Sequence, residues 1–406
     1  MPSFQATATV LGVVLIAGAL ASGVARRSFL SMTALFVLAG FALGDGGFGW
    51  LSFQARSGFV EDLAFAALIV ILFRDGLEVE EEMLQREWRL PLRKLVLAMP
   101  ITAALIAAIT HLLIGLSWTE SFLLGALLSP TDPVLTSSIV TNSRVPRVVR
   151  HSLNLESGLN DGLALPAVLA FAAALNTGAG SEHFVWESFV VQDIGLGFLY
   201  GFACGWVASL LMPRESARHL EHSIPSHQKS LYALGTAFAT YGITVLAPRG
   251  NGFIAVFVAA IVLGVRRPDL RRHFEQRADE IVEIVKVGVF LVFGSLLTLD
   301  ALTQDGWAAV GLVAATFLIA RPLAVWIALT GTDTDPQTRL FMGWFGPKGV
   351  ATMTFSLLVL DQHIPGGARI FDLAALVVFC SIIVHGLTDT PGAAWIARHA
   401  ERRSGA

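Results

Sequence analysis

Hydrophobic residues fall along this chain in long uninterrupted runs separated by short polar stretches, and neither strand alternation nor a one-faced helical stripe dominates. Runs of roughly 17 to 25 apolar residues are long enough to cross a bilayer as helices. Thirteen such segments lie near 5–25, 29–44, 59–77, 95–116, 119–141, 153–175, 188–211, 230–248, 252–265, 281–298, 307–329, 340–360 and 371–391. The ninth is short, so a re-entrant or tilted segment is open there beside a full span. The pattern predicts an all-α polytopic membrane protein with about 13 transmembrane helices.

Two spans carry interruptions: the fifth contains "SPTDPVLTSS" from Ser129, and the twelfth contains "GPKGVA" from Gly346. Each breaks an apolar helix with proline at mid-depth and sets a charge beside it. Six spans up to residue 175, one linker span and six more give the second half the opposite membrane orientation. The expected architecture is therefore two inverted six-helix repeats with two crossed discontinuous helices, an arrangement that points to a transporter's binding site. Identity between the halves is negligible, so this expectation rests on hydropathy and the prolines.

The fifth span raises the sharper chemical question. Pro130 removes the helical hydrogen bond to the Ala126 carbonyl and Pro133 the one to the Ser129 carbonyl. Ser129 and Asp132, each preceding a proline, are pushed toward extended backbone. Irregular backbone at membrane depth is tolerated where protein buries it or where it lines a wet cavity. Freed carbonyls, Thr131 and Asp132 are then hard oxygen ligands suited to alkali and alkaline-earth cations. A plain loop between two short spans is the other reading of this stretch.

The sixth span adds Glu156, Ser157, Asn160 and Asp161 to an otherwise apolar helix. Helical spacing aligns Ser157 with Asp161 and Glu156 with Asn160 on adjoining strips. An ionised acid at the bilayer centre costs about 2.5 to 3.5 kcal/mol, so Asp132, Glu156 and Asp161 together cost about 8 to 10 before pairing. Interhelical pairing with Arg321 and Lys348 explains one acid and leaves the others. Arg321, deep in the eleventh span, is the natural partner of Glu156, which leaves Asp161 free to change charge. Lys348 follows the proline break of the twelfth span and is placed to neutralise carbonyl ends as Asp132 neutralises amide ends. Lys286 either snorkels or lines a funnel, and Arg74 is expected at the cytoplasmic interface beside Asp75.

Composition agrees with the spans: 54% of residues are hydrophobic, 15% are charged and mean hydropathy is +0.66. Charge adds orientation. With loops assigned alternately to the two sides, 21 of the 28 Lys and Arg fall on one side, only Arg56, Arg249 and Arg369 on the other, and Arg74, Lys286, Arg321 and Lys348 within or at the edge of spans. That asymmetry predicts a multi-pass plasma-membrane protein with its N-terminus outside and its C-terminus cytoplasmic. "MPSFQ" carries no positive charge and Arg26-Arg27 follow the first run, so a retained span fits better than a cleaved signal peptide. The charged connectors 78–94, 212–229 and 266–280 and the stub 399–406 hold no soluble domain.

Two cysteines, Cys204 and Cys380, lie in apolar runs and read as packing residues, with no disulfide framework or CxxC metal site. "HLEH" at 219–222 reads as solvated, and His111 and His385 within spans are either satisfied core residues or pH-sensitive ones. No HExxH or GxSxG nucleophile motif occurs, so the chain reads as a transporter and not an enzyme. Nothing indicates nucleic acid; the lipid bilayer is the expected environment.

At "SPTDPVLTSS", "ESGLNDG", Arg321, "GPKGVA" and "IVHGLT" the chain resembles the NhaP-type sodium/proton antiporters of the cation/proton antiporter superfamily, across nearly its whole length. The resemblance implies a scaffold and dimerisation unit from spans 1–3 (residues 1–94) and from linker span 7 with spans 8–10 (176–300). It implies a core that moves like an elevator, built from spans 4–6 (95–175) and 11–13 (301–398), with a short cytoplasmic tail at 399–406. Asp161 and Asp132 would bind cation or proton, Thr131 and Ser157 would supply further oxygens, and Glu156 would pair with Arg321. Asn160 stands where electrogenic relatives carry a second aspartate, implying electroneutral one-for-one exchange of Na+, with Li+, for H+ by a homodimer without cofactors. The family often has arginine at the position of Lys348, and Lys286 matches no family role. A potassium/proton exchanger on the same scaffold is the alternative, and a sodium-coupled organic-solute symporter is the alternative of another class.

Overall fold

The computed structural model describes residues 9, 12, 13, 16, 32–51, 53–54, 57–77, 89–132, 139, 142–176, 185–213, 225–362 and 364–404. Most of the first expected span, Arg26-Arg27, the stretch 133–138 with Pro133, and "HLEH" lie outside the described residues. So does the side chain of Ser157.

Among the described residues the chain is helical, and the apolar runs become helices α1 (Met32–Leu43), α2 (Gly58–Leu77), α3 (Leu90–Ile114), α4 (Trp118–Leu128), α5 (Arg147–Asn176), α6 (Trp186–Leu211), α7 (Ser226–Leu246), α8 (Gly252–Arg266), α9 (Pro268–Leu296), α10 (Gly306–Ala328), α11 (Pro336–Trp344), α12 (Val350–Asp361) and α13 (Gly367–Ser404). Five of them, α3, α5, α6, α10 and α13, are long and apolar enough to cross a membrane by themselves. The short ninth span is a continuous helix: α8 is buried along nearly its whole length between α2, α6 and α7, which explains both its brevity and its lack of charge.

Local chemistry sets the helix ends. Ser117 and Glu120 form a reciprocal capping box at the start of α4, Asn251 accepts the amides of Phe253 and Ile254 at the start of α8, and Asp335 accepts those of Gln337 and Thr338 at the start of α11. The twelfth span is two helices, α11 and α12, separated by the non-helical segment 345–349. The fifth span ends its first helix at Leu128, and residues 130–132 are non-helical.

Two further irregularities match each other. Helix α3 contains a π-helical turn at Lys94–Ala98, and α10 contains one at Thr316–Ala320. In each, a proline follows two residues after the turn, Pro100 and Pro322, and its missing N–H frees a carbonyl inside the turn. These helices are the fourth and eleventh spans, the same position in each expected half.

Helices α1, α2 and α6 to α9 pack on one another, as do α3 to α5 with α10 to α13. The two groups meet where α1, α2, α8 and α9 face α5, α12 and α13. The buried polar residues described below lie along this seam and just inside it.

Candidate ion site

The two chain breaks touch. The Asp132 amide donates to the Pro347 carbonyl at 2.9 Å, and the Val350 amide, at the first residue of α12, donates to Asp132 Oδ2 at 3.2 Å. Lys348 Nζ lies on the carbonyls of Ser129 and Pro130, at 3.4 and 3.2 Å, where α4 ends. A carboxylate therefore sits at one half-helix N-terminus and an ammonium at the facing C-terminus, each opposite the sign of the local dipole. This corrects one sequence expectation: the freed Ser129 carbonyl is taken by the lysine, and the Ala126 carbonyl accepts the Ser129 hydroxyl at 3.0 Å. Tethered donors use these oxygens because an unsatisfied carbonyl at this depth is costly.

Glycine permits the close approach. A Cβ at Gly349 would overlap the Asp132 side chain, and one at Gly346 would overlap the Arg321 guanidinium. The break is further held from α13: the Lys348 amide donates to Ser381 Oγ at 2.8 Å, and His385 contacts Ser381 and the Trp344 carbonyl, at 3.0 Å for the latter. His385 is fully buried in these contacts, a core histidine with partners.

Helix α5 brings the sixth-span residues to the crossing. Asn160 Nδ2 donates to the Thr131 carbonyl at 2.8 Å and to Thr131 Oγ1 at 3.0 Å, tying α5 to the broken fifth span. Asp161 follows and is buried, as are Thr131, Asp132 and Asn160. Glu156, one turn before Asn160, accepts two hydrogen bonds from Arg321, at 2.9 and 3.1 Å. The backbone of Ser157 lies in α5 between them.

Two site residues escaped the sequence reading, and a third, Lys286, was open between snorkelling and lining a funnel. Lys94, grouped with the cytoplasmic connector 78–94, is completely buried in α3, ion-paired to Glu156 and bonded to Ser152 Oγ at 3.4 Å. Glu156 is thus held between two cations, not one. Asp75, read as an interfacial residue beside Arg74, is buried near the end of α2; Arg74 does lie beside it, at 3.4 Å, but Asp75 also acts on Asp161. Lys286, in α9, is 9% exposed and acts electrostatically on Asp161, as does Asp132. A snorkelling lysine near a span's start would stand in water; this one lies some 18 residues into a 29-residue helix. The signals were there in retrospect: Asp75 and Lys286 are charges closer to apolar runs than a loop assignment allows.

The donor set suits a cargo cation. Asp161 Oδ1 and Asn160 Oδ1 are buried oxygens with no hydrogen-bond partner among the described residues. Hard oxygen donors with no nitrogen or sulfur favour alkali cations over transition metals.

Known proteins place this arrangement. The family model for the transmembrane sodium/hydrogen exchanger matches residues 11–395. The chain is 24% identical to the K(+)/H(+) antiporter NhaP of Alkalimonas amylolytica, over all of this chain and 69% of that one. It is 30% identical to the Na(+)/H(+) antiporter NhaG of Bacillus atrophaeus, over 69% of this chain and 53% of that one. It therefore spans roughly half to two thirds of these curated relatives' own length. The fold is similar to that of the sodium proton antiporter MjNhaP1 from Methanocaldococcus jannaschii, with a TM-score of 0.79, 19% identity and coverage of 98% of this chain and 99% of that one. With broken helices crossing at buried carboxylates, a fold shared over its full length and a family match over 11–395, the chain belongs to the sodium/hydrogen exchanger family of multi-pass membrane proteins.

Proposed function

We propose that this protein is a secondary active antiporter that exchanges one monovalent cation, Na+ and with it Li+, for one proton, with Asp161 as the shared site. The observation that carries the reading is the position of Asp161: buried on α5 beside Asn160, which ties α5 to the broken span at Thr131, and keeping one oxygen without a hydrogen-bond partner among the described residues. A carboxylate holds a proton or a metal ion in turn, so occupancy by one excludes the other. Asp132, Thr131 and Ser157 complete the proposed cation site, with Asn160 positioning Thr131. Glu156 with Lys94 and Arg321, and Lys348 at the crossing, hold the frame without entering it.

Asp161 and Asp132 lie with the core group, α3 to α5 and α10 to α13, while Asp75 and Lys286 lie in the scaffold, α1, α2 and α6 to α9. Exchange becomes obligatory if the core crosses only when Asp161 is neutralised, because moving a bare carboxylate through a low-dielectric barrier costs several kcal/mol. Asparagine at position 160 supports one-for-one, electroneutral stoichiometry. The functional unit on this reading is a homodimer in the plasma membrane, with its N-terminus outside and C-terminal tail cytoplasmic.

Potassium is the second reading, supported by the K(+)/H(+) name of the Alkalimonas relative. Proteoliposomes carrying an imposed proton gradient distinguish the two: sodium, lithium and potassium are added separately, with Asp161→Asn as the control. Collapse by sodium or lithium but not in the variant supports the reading; collapse by potassium alone moves it to K+. Full proton-coupled exchange by Asp161→Asn would falsify it.

A further inference from the structure

The α11–α12 break is bonded to two different elements. Toward the fifth span, the Pro347 carbonyl accepts the Asp132 amide, Lys348 Nζ reaches the Ser129 and Pro130 carbonyls, and the Val350 amide meets Asp132 Oδ2. Toward α13, two residues one turn apart take hold of its ends. Ser381 Oγ accepts the Lys348 amide at 2.8 Å, and His385 Nε2 lies 3.0 Å from the carbonyl of Trp344, the last residue of α11. The two side chains also meet each other, His385 Nδ1 standing 3.1 Å from Ser381 Oγ and 2.9 Å from the Ser381 carbonyl. Both are completely buried. The imidazole is held between aromatic rings: Phe317, in the π turn of α10, meets it edge-on with centroids 5.3 Å apart, and Trp344 lies 5.7 Å away with its Nε1 bonded to Thr388 Oγ1 of α13 at 3.1 Å. The exchange cycle above uses neither Ser381 nor His385.

A carbonyl oxygen only accepts, so the Trp344 contact requires a hydrogen on His385 Nε2. Nδ1 is then satisfied in either charge state. In the neutral ring it accepts the Ser381 hydroxyl, whose oxygen is taking the Lys348 N–H; in the charged ring it donates to the Ser381 carbonyl, and Ser381 Oγ still takes the Lys348 N–H. The bridge from Trp344 to Lys348 is complete both ways, so His385 contributes position and not charge. We infer that Ser381 and His385 are a positioning pair for the cation site: they fix the two ends of the break and, through Pro347, Lys348 and Val350, hold Asp132 in place for the transported cation. The inference rests on the exchange reading above, in which Asp132 is a cation ligand. A group that orients a metal-binding side chain, when removed, costs about ten- to a hundredfold in metal affinity.

The test is cation-dependent exchange by the full chain in proteoliposomes, with Na+ as the varied cation and K+ in its place if potassium alone supports exchange. Ser381→Ala, which deletes one hydroxyl, and His385→Ala are each expected to raise KM for the cation about tenfold while kcat stays within about twofold. His385→Gln carries an amide N–H to the Nε2 position and never charges, and it is expected to keep KM within about twofold of native. His385→Asn, too short to reach Trp344, is expected to behave like His385→Ala. Native KM in both alanine variants overturns the inference, as does a tenfold rise in His385→Gln, which lacks only the ring and its charge. A merely structural role would lower Tm and yield in these variants with KM unmoved. If His385→Ala does not fold, the comparison of Ser381→Ala with His385→Gln carries the same two outcomes. Asp161→Asn in the same assay separates the two claims: an active Asp161→Asn defeats the exchange reading, whereas an inert one with native KM in Ser381→Ala and His385→Ala defeats only this inference.

Discussion

Each acidic side chain at the seam has a distinct set of partners, and the partners assign the work. Glu156 is saturated by Lys94 and Arg321, so it is committed to structure. Asp132 accepts the Val350 amide on one oxygen and so caps α12. Asp161 keeps an oxygen with no hydrogen-bond partner among the described residues, which is what a reversible site requires. The crossing depends on residues without side chains as much as on these. Because a Cβ at Gly349 would occupy the space of the Asp132 carboxylate, Gly349→Ala must displace that carboxylate or the α12 N-terminus. The expected result is a loss of about 1 to 3 kcal/mol of stability, typical of overpacking, with a larger proportional loss of exchange. Thermal denaturation in detergent and proteoliposome exchange on the same preparation measure both; native exchange by Gly349→Ala would show that the close approach is dispensable.

At the scale of elements, broken and distorted helices are where the chemistry sits. The α11–α12 break exposes a helix N-terminus to Asp132, the end of α4 exposes carbonyls to Lys348, and the π turns of α3 and α10 lie beside the two cations that hold Glu156. Helix α11 is anchored from outside the membrane by Asp335, which caps its first turn, bonds Thr338 Oγ1 and meets His399 and Arg403 from the end of α13. Partial burial pushes the Asp335 carboxyl upward, but the hydrogen bonds from the Thr338 side chain and backbone and from His399 outweigh it and hold the group down at about 2. A carboxyl lowered by folding stabilises the protein fully above its unfolded value near 4, and the contribution disappears as pH falls through about 2. Asp335→Ala is therefore expected to cost about 1 kcal/mol at neutral pH, the usual effect of a lost N-cap. The difference in Tm from the native protein should shrink steadily as pH is lowered from about 4 toward 2. A pH-independent difference would show that the cap acts through shape alone.

The whole molecule consists of two helix groups whose seam contains the candidate site. Its packing includes Gly162 of α5 lying under the ring of Phe257 of α8, one residue from each group and next to Asp161. If exchange needs the groups to slide, a covalent link here must stop it. In a background with Cys204→Ala and Cys380→Ala, the pair Gly162→Cys and Phe257→Cys is expected to lose exchange on oxidation and to recover it on reduction, relative to its own reduced state. Undiminished exchange by the fully oxidised protein would rule out relative motion at this seam.

The sequence by itself determined the membrane class, the spans, the two proline breaks and the acids of the fifth and sixth spans, because hydropathy and backbone restriction act locally along the chain. It marked Asp132, Glu156 and Asp161 as costly before any partner was known, and it offered Arg321 as partner to one of them, Glu156 being the choice that the family resemblance also implies. Only the tertiary structure decided which charges meet. Lys94 looked like a loop residue because it adjoins Arg89 and Arg93, yet α3 begins before it and a helix turn directs it to Glu156, 62 positions away. Asp75 looked interfacial because it lies near the end of an apolar run, yet the fold buries it. The freed carbonyls looked like cation ligands, yet Lys348, 219 positions from Ser129, occupies them. Contacts between residues so distant in the chain depend on how helices pack, and no local periodicity encodes that.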